Sequence, residues 1–215
     1  MSMKDDEQFF HLGMGYYVAC RFTAHARFDI ITGNLCHHAI EMFLKGKLVQ
    51  TMEREVLKND LRHNLPKIWG KFKAEIGDES LDQFDETIRK LQEFEDIRYP
   101  DKLVDLGAQI TVTIGGPPGT GPATGPAANV PSYDLVLGDI DDLVRTIFDV
   151  CSFNSEPFIP FMQHNLLAHE YLEKSNARFG VSAKETSGGG KRELPTWACW
   201  LIAVAVLVLT IVVAG

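Results

Sequence analysis

Cysteine is scarce in this sequence, and its four cysteines are scattered. They are Cys20, Cys36, Cys151 and Cys199, and none is spaced as CxxC or as a zinc ligand with a histidine. This spacing excludes the common cysteine-based zinc modules. Because the first three lie among apolar residues of predicted helices, we expect them to be small, reduced core residues in a reducing compartment.

The short motifs of several large enzyme classes are also absent. The sequence contains no GxxxxGK[ST], GxSxG or HExxH pattern, which mark phosphate loops, serine nucleophiles and zinc proteases. The segment GGPPGTGPATGP is rich in glycine, but its prolines lack the N–H groups that a phosphate cradle requires. We therefore expect no cofactor and no metal ion. A signal peptide is not expected either, because the acidic stretch KDDE follows close behind Met1.

Basic residues are fewer than acidic ones, so the net charge is -8. This balance argues against a protein that grips nucleic acid through bulk charge. The charge is uneven, however, with a net of +5 over residues 45–73 and of -7 over residues 74–101. Such runs are typical of solvated faces. The alternatives are a basic face for an anion or RNA, and two complementary faces that meet in a homodimer.

Apolar residues at helical spacing are abundant. In residues 34–51 they form one stripe, from Leu35 to Leu48, which predicts a helix that buries one face. Glu41 and Lys45 lie on the opposite face of this helix as a favourable i,i+4 pair. Similar stripes and the caps Asn64, Ser80 and Asp139 predict a mostly α-helical bundle. The predicted helices cover residues 5–26, 29–51, 65–76, 80–99, 139–151 and 160–178.

Two short segments have the alternating pattern of strands instead. Residues 109–114 alternate polar and apolar side chains, and residues 133–137 form a second candidate strand. Between them, residues 115–131 are rich in glycine and proline and predict a flexible insertion loop. We expect a small β-hairpin with this loop at its tip.

The last segment, from Trp197 to Gly215, carries no charged residue. As a helix it would span about 28 Å, close to the hydrocarbon thickness of a bilayer. Two tryptophans lie at its first end, just after Lys191 and Arg192. This arrangement predicts a single-pass transmembrane helix at 197–215 and a linker at 179–196, with the bundle at 5–178 in the cytosol. The alternative is a buried core helix or strand.

Three segments resemble motifs of the HEPN family (higher eukaryotes and prokaryotes nucleotide-binding domains). They are HHAIEMFLKGKL in the predicted helix of residues 29–51, HNLPKIW at the start of the next helix, and FEDIRYPD near residue 98. The resemblance implies a helical bundle. Many HEPN proteins are ribonucleases with an arginine, four to six residues and then a histidine. Here His63 directly follows Arg62 and no histidine follows Arg98 until His164. The departure favours a binding role, for a nucleotide, RNA or partner protein, over RNA cleavage. A further alternative is a scaffold for another membrane protein.

The binding residues that these motifs suggest are Arg98, Tyr99, Asp101, His38, Glu41 and Lys45. Arg98 can reach a ligand phosphate or a structural carboxylate. For catalysis, only Arg98 and His63 are weak candidates, with His63 as base, and a capping-region histidine is the plainer interpretation. His37 and His38 are adjacent, so on a helix they point about 100° apart. We expect one of the two at the core edge and the other in water, not both at one site.

Overall fold

The computed structural model describes residues 4–98, 107–115, 130–153 and 166–176. The chain divides into two compact units, Met1–Val181 and Ser182–Gly215, and every described residue lies in the first. The expected mostly helical architecture is confirmed in these residues. The helices are α1 Asp5–His25, α2 Asp29–Leu48, α3 Arg54–Val56, α4 Leu65–Ile76, α5 Asp85–Asp96, α6 Leu137–Val150 and α7 Leu166–Glu173. A π-helical turn, Leu57–Leu61, continues α3, and a 3-10 turn, Glu79–Phe84, precedes α5.

Helices α1 and α2 form the centre of the bundle and pack side by side along their length. Gly13 of α1 allows the close approach, because a Cβ there would lie 2.6 Å from the ring of Phe43. Phe43 in turn packs against Phe10 and Phe148, with ring centroids 6.1 and 4.9 Å away. The apolar stripe predicted for the second helix is therefore buried against α1 and α6.

A disulfide between Cys20 and Cys36 also joins α1 to α2, with the two Cα atoms 5.4 Å apart. The expectation that both thiols are reduced was wrong. Both residues do lie in the core, as expected, and the antiparallel helices bring two positions 16 apart in the sequence into contact. Closing a loop of this size contributes about 3 kcal/mol in the chain-entropy account. Cys151 is a free cysteine.

Helix α5 packs closely on α2 at Gly33. A Cβ at Gly33 would lie 1.9 Å from Cδ1 of the fully buried Phe94. Gly70, within α4, has nothing within 4 Å of the same position. The two glycines therefore provide a matched comparison of the same substitution.

Gly33→Ala is expected to lower the free energy of unfolding by about 1–3 kcal/mol, because the methyl group overpacks the α2–α5 interface. Gly70→Ala is expected to raise it by about 0.5–1 kcal/mol, because alanine has the better helix propensity. Urea unfolding followed by circular dichroism measures both. Equal effects of the two substitutions would contradict the close packing at Gly33.

The two strands pair as expected in position but not in direction. They are β1 Gln109–Thr113 and β2 Ser132–Val136, and they run parallel, with Gln109 opposite Ser132. The predicted β-hairpin was therefore wrong, because a parallel pair needs a crossover and not a tight turn. Alternation within each strand showed that both are strands but carried no information on their direction. Most of the predicted insertion loop, residues 116–129, lies outside the described residues.

Predicted helix caps were partly right. Asn64 caps α4, where its side chain accepts a hydrogen bond from the Lys67 N–H at 3.0 Å, and Gly77 ends that helix with φ +72°. Ser80 is not a cap, because Asp78 accepts the Ser80 N–H and a 3-10 turn follows. Asp139 was also wrong as a cap, since α6 continues directly from β2 and begins two residues earlier.

A buried polar cluster joins α1 to α6 and α7. The Arg21 guanidinium, with no exposed surface, contacts both oxygens of Asp141 at 2.5 Å. Tyr17 donates its hydroxyl to the same carboxylate at 2.6 Å, and Asn176 donates to the Tyr17 oxygen at 3.1 Å. Arg21 also donates to the backbone carbonyl of Tyr171 at 2.9 Å. These contacts link α1 to α6 and to the α7 region.

In the described part of the chain, no helix combines the length and the apolar character that crossing a membrane would need. The predicted transmembrane helix at 197–215 and the linker at 179–196 lie outside the described residues.

Candidate functional site

A second polar cluster lies between α2, α5 and the residues that precede α4. Its centre is Glu41, whose side chain is completely buried. We call it the Glu41 cluster. It comprises Tyr16, His37, His38, Glu41, Lys45, His63, Gln92, Glu95 and Arg98.

Lys45 and His63 hold the Glu41 carboxylate. The Lys45 ammonium donates to Oε1 at 2.6 Å, and Nδ1 of His63 lies 3.0 and 3.1 Å from the two oxygens. Lys45 also donates to the carbonyl oxygen of Arg62 at 2.5 Å. Arg62 has φ +47°, a strained conformation for a residue with a side chain. Lys45 thus fixes both the carboxylate and the bend that brings His63 over it.

The expected i,i+4 pair of Glu41 and Lys45 is present, but its expected position on the solvent face was wrong. Both side chains are buried, because α5 and the residues before α4 cover this face of α2. Burial would raise the pKa of Glu41, but the neighbouring His38, His63 and Lys45 together hold that pKa well below its usual range. The hydrogen bond to Glu41 raises the pKa of His63. The carboxylate is therefore anionic at neutral pH.

His37 and His38 both face Glu41, which contradicts the prediction that they would not share a site. Nδ1 of His38 lies 3.6 Å from Oε2 of Glu41, and Nδ1 of His37 lies 3.9 Å from the same oxygen. Neither ring is in water, since the His37 side chain is 1% exposed and that of His38 is 14% exposed. Positions three and four before a helical residue both adjoin it, although they point apart from each other.

His37 is buried without hydrogen-bond partners. Neither of its ring nitrogens makes a hydrogen bond, although Gln92 lies close to the ring, and Oε2 of Glu95 is likewise buried and unpaired. That oxygen lies 4.0 Å from Nδ1 of His37. Burial lowers the pKa of His37 to about 4, so the imidazole is neutral at physiological pH. Buried polar atoms without partners are rare in native proteins.

The rings of Tyr16, His38 and His63 form a row at the part-exposed edge of the cluster, which we call its mouth. Their centroids are 5.4 Å apart for Tyr16 and His38, and 6.1 Å apart for His38 and His63. The His63 side chain is 53% exposed. Arg98 contacts Glu95 at 3.4 Å. Burial and Glu41 raise the pKa of Tyr16 while Arg98 lowers it, so Arg98 acts at the same mouth.

Five of the residues suggested by the sequence therefore meet in one place, namely His38, Glu41, Lys45, His63 and Arg98. Tyr99 and Asp101 lie outside the described residues. The sequence analysis missed His37, Gln92, Glu95 and Tyr16 as members. The spacing of Gln92 and Glu95 on one helix face could have suggested a polar face of α5, but nothing local indicates that this face packs on Glu41.

The Glu41 cluster combines groups that can perform different chemistry. His63 and Glu41 form a histidine–carboxylate pair of the kind used in proton transfer. His37, His38 and Glu41 each place one potential metal-ligand atom within 4.8 Å of the others. Arg98 and the row of rings could contact a phosphate and a base.

Comparison with known proteins adds no further constraint. No family model, no curated protein and no solved structure matches this chain. The HEPN resemblance therefore depends on the three sequence segments alone.

Proposed function

We propose that the chain is a HEPN-like, non-catalytic binding module, tethered to a membrane by residues 197–215, that takes a nucleotide or RNA phosphate at the mouth of the Glu41 cluster. The observation that carries this proposal is the row of part-exposed rings beside Arg98. Nucleobases stack on aromatic and histidine rings, and an arginine guanidinium matches a phosphate. A partner protein or second copy of the chain is the alternative occupant of this mouth.

The site's electrostatics are compatible with an anionic ligand. Glu41 is buried, and Lys45 at 2.6 Å and His63 at 3.0 Å compensate its charge. Arg98 contributes positive charge beside Tyr16, and the exposed Arg62 directly precedes His63 in the chain. A ligand phosphate would meet the cationic edge of the cluster and not its carboxylate. Binding of a phosphate at this edge requires no local excess of basic residues, which is consistent with the net negative charge of the chain.

Binding is tested with full-length protein in detergent, titrated separately with mononucleotides and with a labelled single-stranded RNA. Arg98→Gln is expected to weaken the binding of whichever ligand associates by tenfold or more, as a charge-assisted hydrogen bond of about 1.5–3 kcal/mol is lost. Arg145→Gln, which removes an exposed arginine from α6, is the control and should leave affinity unchanged. Absence of binding to both ligands, or equal effects of the two variants, would contradict the proposal.

A second candidate function is RNA cleavage, which the hydrogen-bonded His63 and Glu41 favour. In this case the same RNA would be shortened during the titration, and His63→Gln would abolish the products while leaving RNA affinity within a few-fold. The non-catalytic proposal expects intact RNA at the highest protein concentration. The tether is tested by sedimentation, where full-length protein should pellet with membranes and a chain ending at residue 190 should not.

A further inference from the structure

We infer that the Glu41 cluster binds a divalent transition-metal ion of the Zn²⁺ class. Its ligands are Nδ1 of His37, Nδ1 of His38 and one carboxylate oxygen each of Glu41 and Glu95. The sequence analysis expected no metal. This inference does not depend on the proposed nucleotide binding, because the four groups supply a complete ligand set without a nucleotide, although His38 also belongs to the row of rings at the mouth.

The distances between the four groups suit a metal at their centre. Bonds of about 2.0–2.2 Å in a tetrahedral arrangement separate the ligand atoms by about 3.3 Å. Oε2 of Glu41 lies 3.6 Å from Nδ1 of His38 and 3.9 Å from Nδ1 of His37. Oε2 of Glu95 lies 4.0 Å from Nδ1 of His37. These three pairs need to close by about 0.3–0.7 Å, which side-chain rotation supplies, and the ligand atoms of His37, His38 and Glu41 all lie within 4.8 Å of one another.

The unpaired atoms are a second and independent observation. The His37 side chain is 1% exposed, and both of its nitrogens lack a hydrogen bond. Oε2 of Glu95 is buried and unpaired as well, and it faces Nδ1 of the same imidazole. An imidazole and a carboxylate oxygen that are buried, close together and unsatisfied are accounted for by an ion between them.

The surroundings would support such an ion. Lys45 donates to Oε1 of Glu41 at 2.6 Å, which leaves Oε2 directed at the histidines. The two carboxylates balance the charge of a divalent cation, and Lys45 and Arg98 each contact one of them. His63 adds a contact to the Glu41 oxygens at 3.0 and 3.1 Å. Contacts of this kind orient metal ligands in known sites. Two imidazoles select Zn²⁺ and its neighbours over Mg²⁺ and Ca²⁺, which prefer all-oxygen sites.

The test uses the full-length protein in detergent, stripped with a chelator and titrated with Co²⁺ and then with Zn²⁺. One equivalent of Co²⁺ should produce visible d–d absorption, and Zn²⁺ should abolish it. Zn²⁺ should also raise the midpoint of thermal unfolding, whereas Mg²⁺ and Ca²⁺ should not. No absorption and no thermal shift in the wild-type protein would overturn the inference.

Three variants locate the site. His37→Gln and Glu95→Gln are each expected to reduce Co²⁺ affinity by a hundredfold or more. His169→Gln is the matched control, because His169 and Glu173 form an exposed i,i+4 pair outside the cluster, and it should bind like wild type. Circular dichroism confirms that each variant is folded before titration. Wild-type affinity in both folded cluster variants, or an equal loss in the control, would overturn the inference.

Discussion

Lys45→Met is expected to lower the free energy of unfolding by about 3–5 kcal/mol, because removal of one partner leaves a buried charge without compensation. Glu41 has no exposed side-chain surface and Lys45 has 8%. Methionine has a similar length, so the substitution removes the ammonium without opening a large cavity. The bond to the Arg62 carbonyl is lost at the same time, and with it the restraint on a strained residue. Urea unfolding of metal-free protein measures the change in midpoint.

The matched control is Lys47→Met, two residues away on α2. Lys47 donates to Gln50 at 3.2 Å in an exposed contact, so the expected change is within about 0.5 kcal/mol. The double variant Lys45→Met with Glu41→Gln should recover part of the loss, because the buried charge is then absent. A shift as small as that of the control, or no recovery in the double variant, would show that Glu41 is not buried as described.

Asp141→Asn is expected to cost a similar amount, about 3–5 kcal/mol, for the same reason. The substitution is nearly isosteric but leaves the fully buried Arg21 guanidinium without a counter-charge. It also weakens the hydrogen bond that the carboxylate accepts from Tyr17 at 2.6 Å. The thermal or urea midpoint of the variant should fall clearly below that of the wild type.

Asp149→Asn on the same helix is the control, since Asp149 pairs with Arg145 at the surface and such pairs contribute about 0–1 kcal/mol. The two variants should also differ in the region where hydrogen exchange becomes faster. Arg21 holds the carbonyl groups of Tyr171 and Lys174 in the α7 region, so Asp141→Asn should accelerate hydrogen exchange there. Equal stability of the two variants, with α7 exchange unchanged, would contradict the role of the buried cluster.

The features predictable from the sequence are those determined by neighbouring residues. Helix α4 was predicted to the residue because Asn64, Pro66 and Gly77 act within one turn of its ends. The direction of strand pairing was not predictable, because it depends on the path of residues between β1 and β2. The start of α5 was missed because the 3-10 turn before it has the same apolar spacing.

In the Glu41 cluster, too, some features follow from neighbouring residues and others depend on the fold. The Glu41–Lys45 pair followed from helical spacing, but its burial depends on α5 and on the bend at Arg62, which no local pattern reports. His37 and His38 were not expected to share a site because adjacent residues point apart on a helix, whereas Glu41, about one turn away, adjoins both. The contact of Arg21 with Asp141 joins positions 120 residues apart and could not be inferred without the fold.

The disulfide between Cys20 and Cys36 provides a way to determine which cellular compartment contains the helical unit. In the cytosol glutathione keeps cysteine thiols reduced, whereas in the periplasm or the secretory lumen they remain oxidised as disulfides. In acid-quenched cells, maleimide labelling of Cys20 and Cys36 in a variant that lacks Cys151 and Cys199 would therefore report whether the unit lies in a reducing or an oxidising compartment. Labelling of Cys20 and Cys36 would agree with the cytosolic location predicted from Lys191 and Arg192, and protection of both thiols would contradict that prediction.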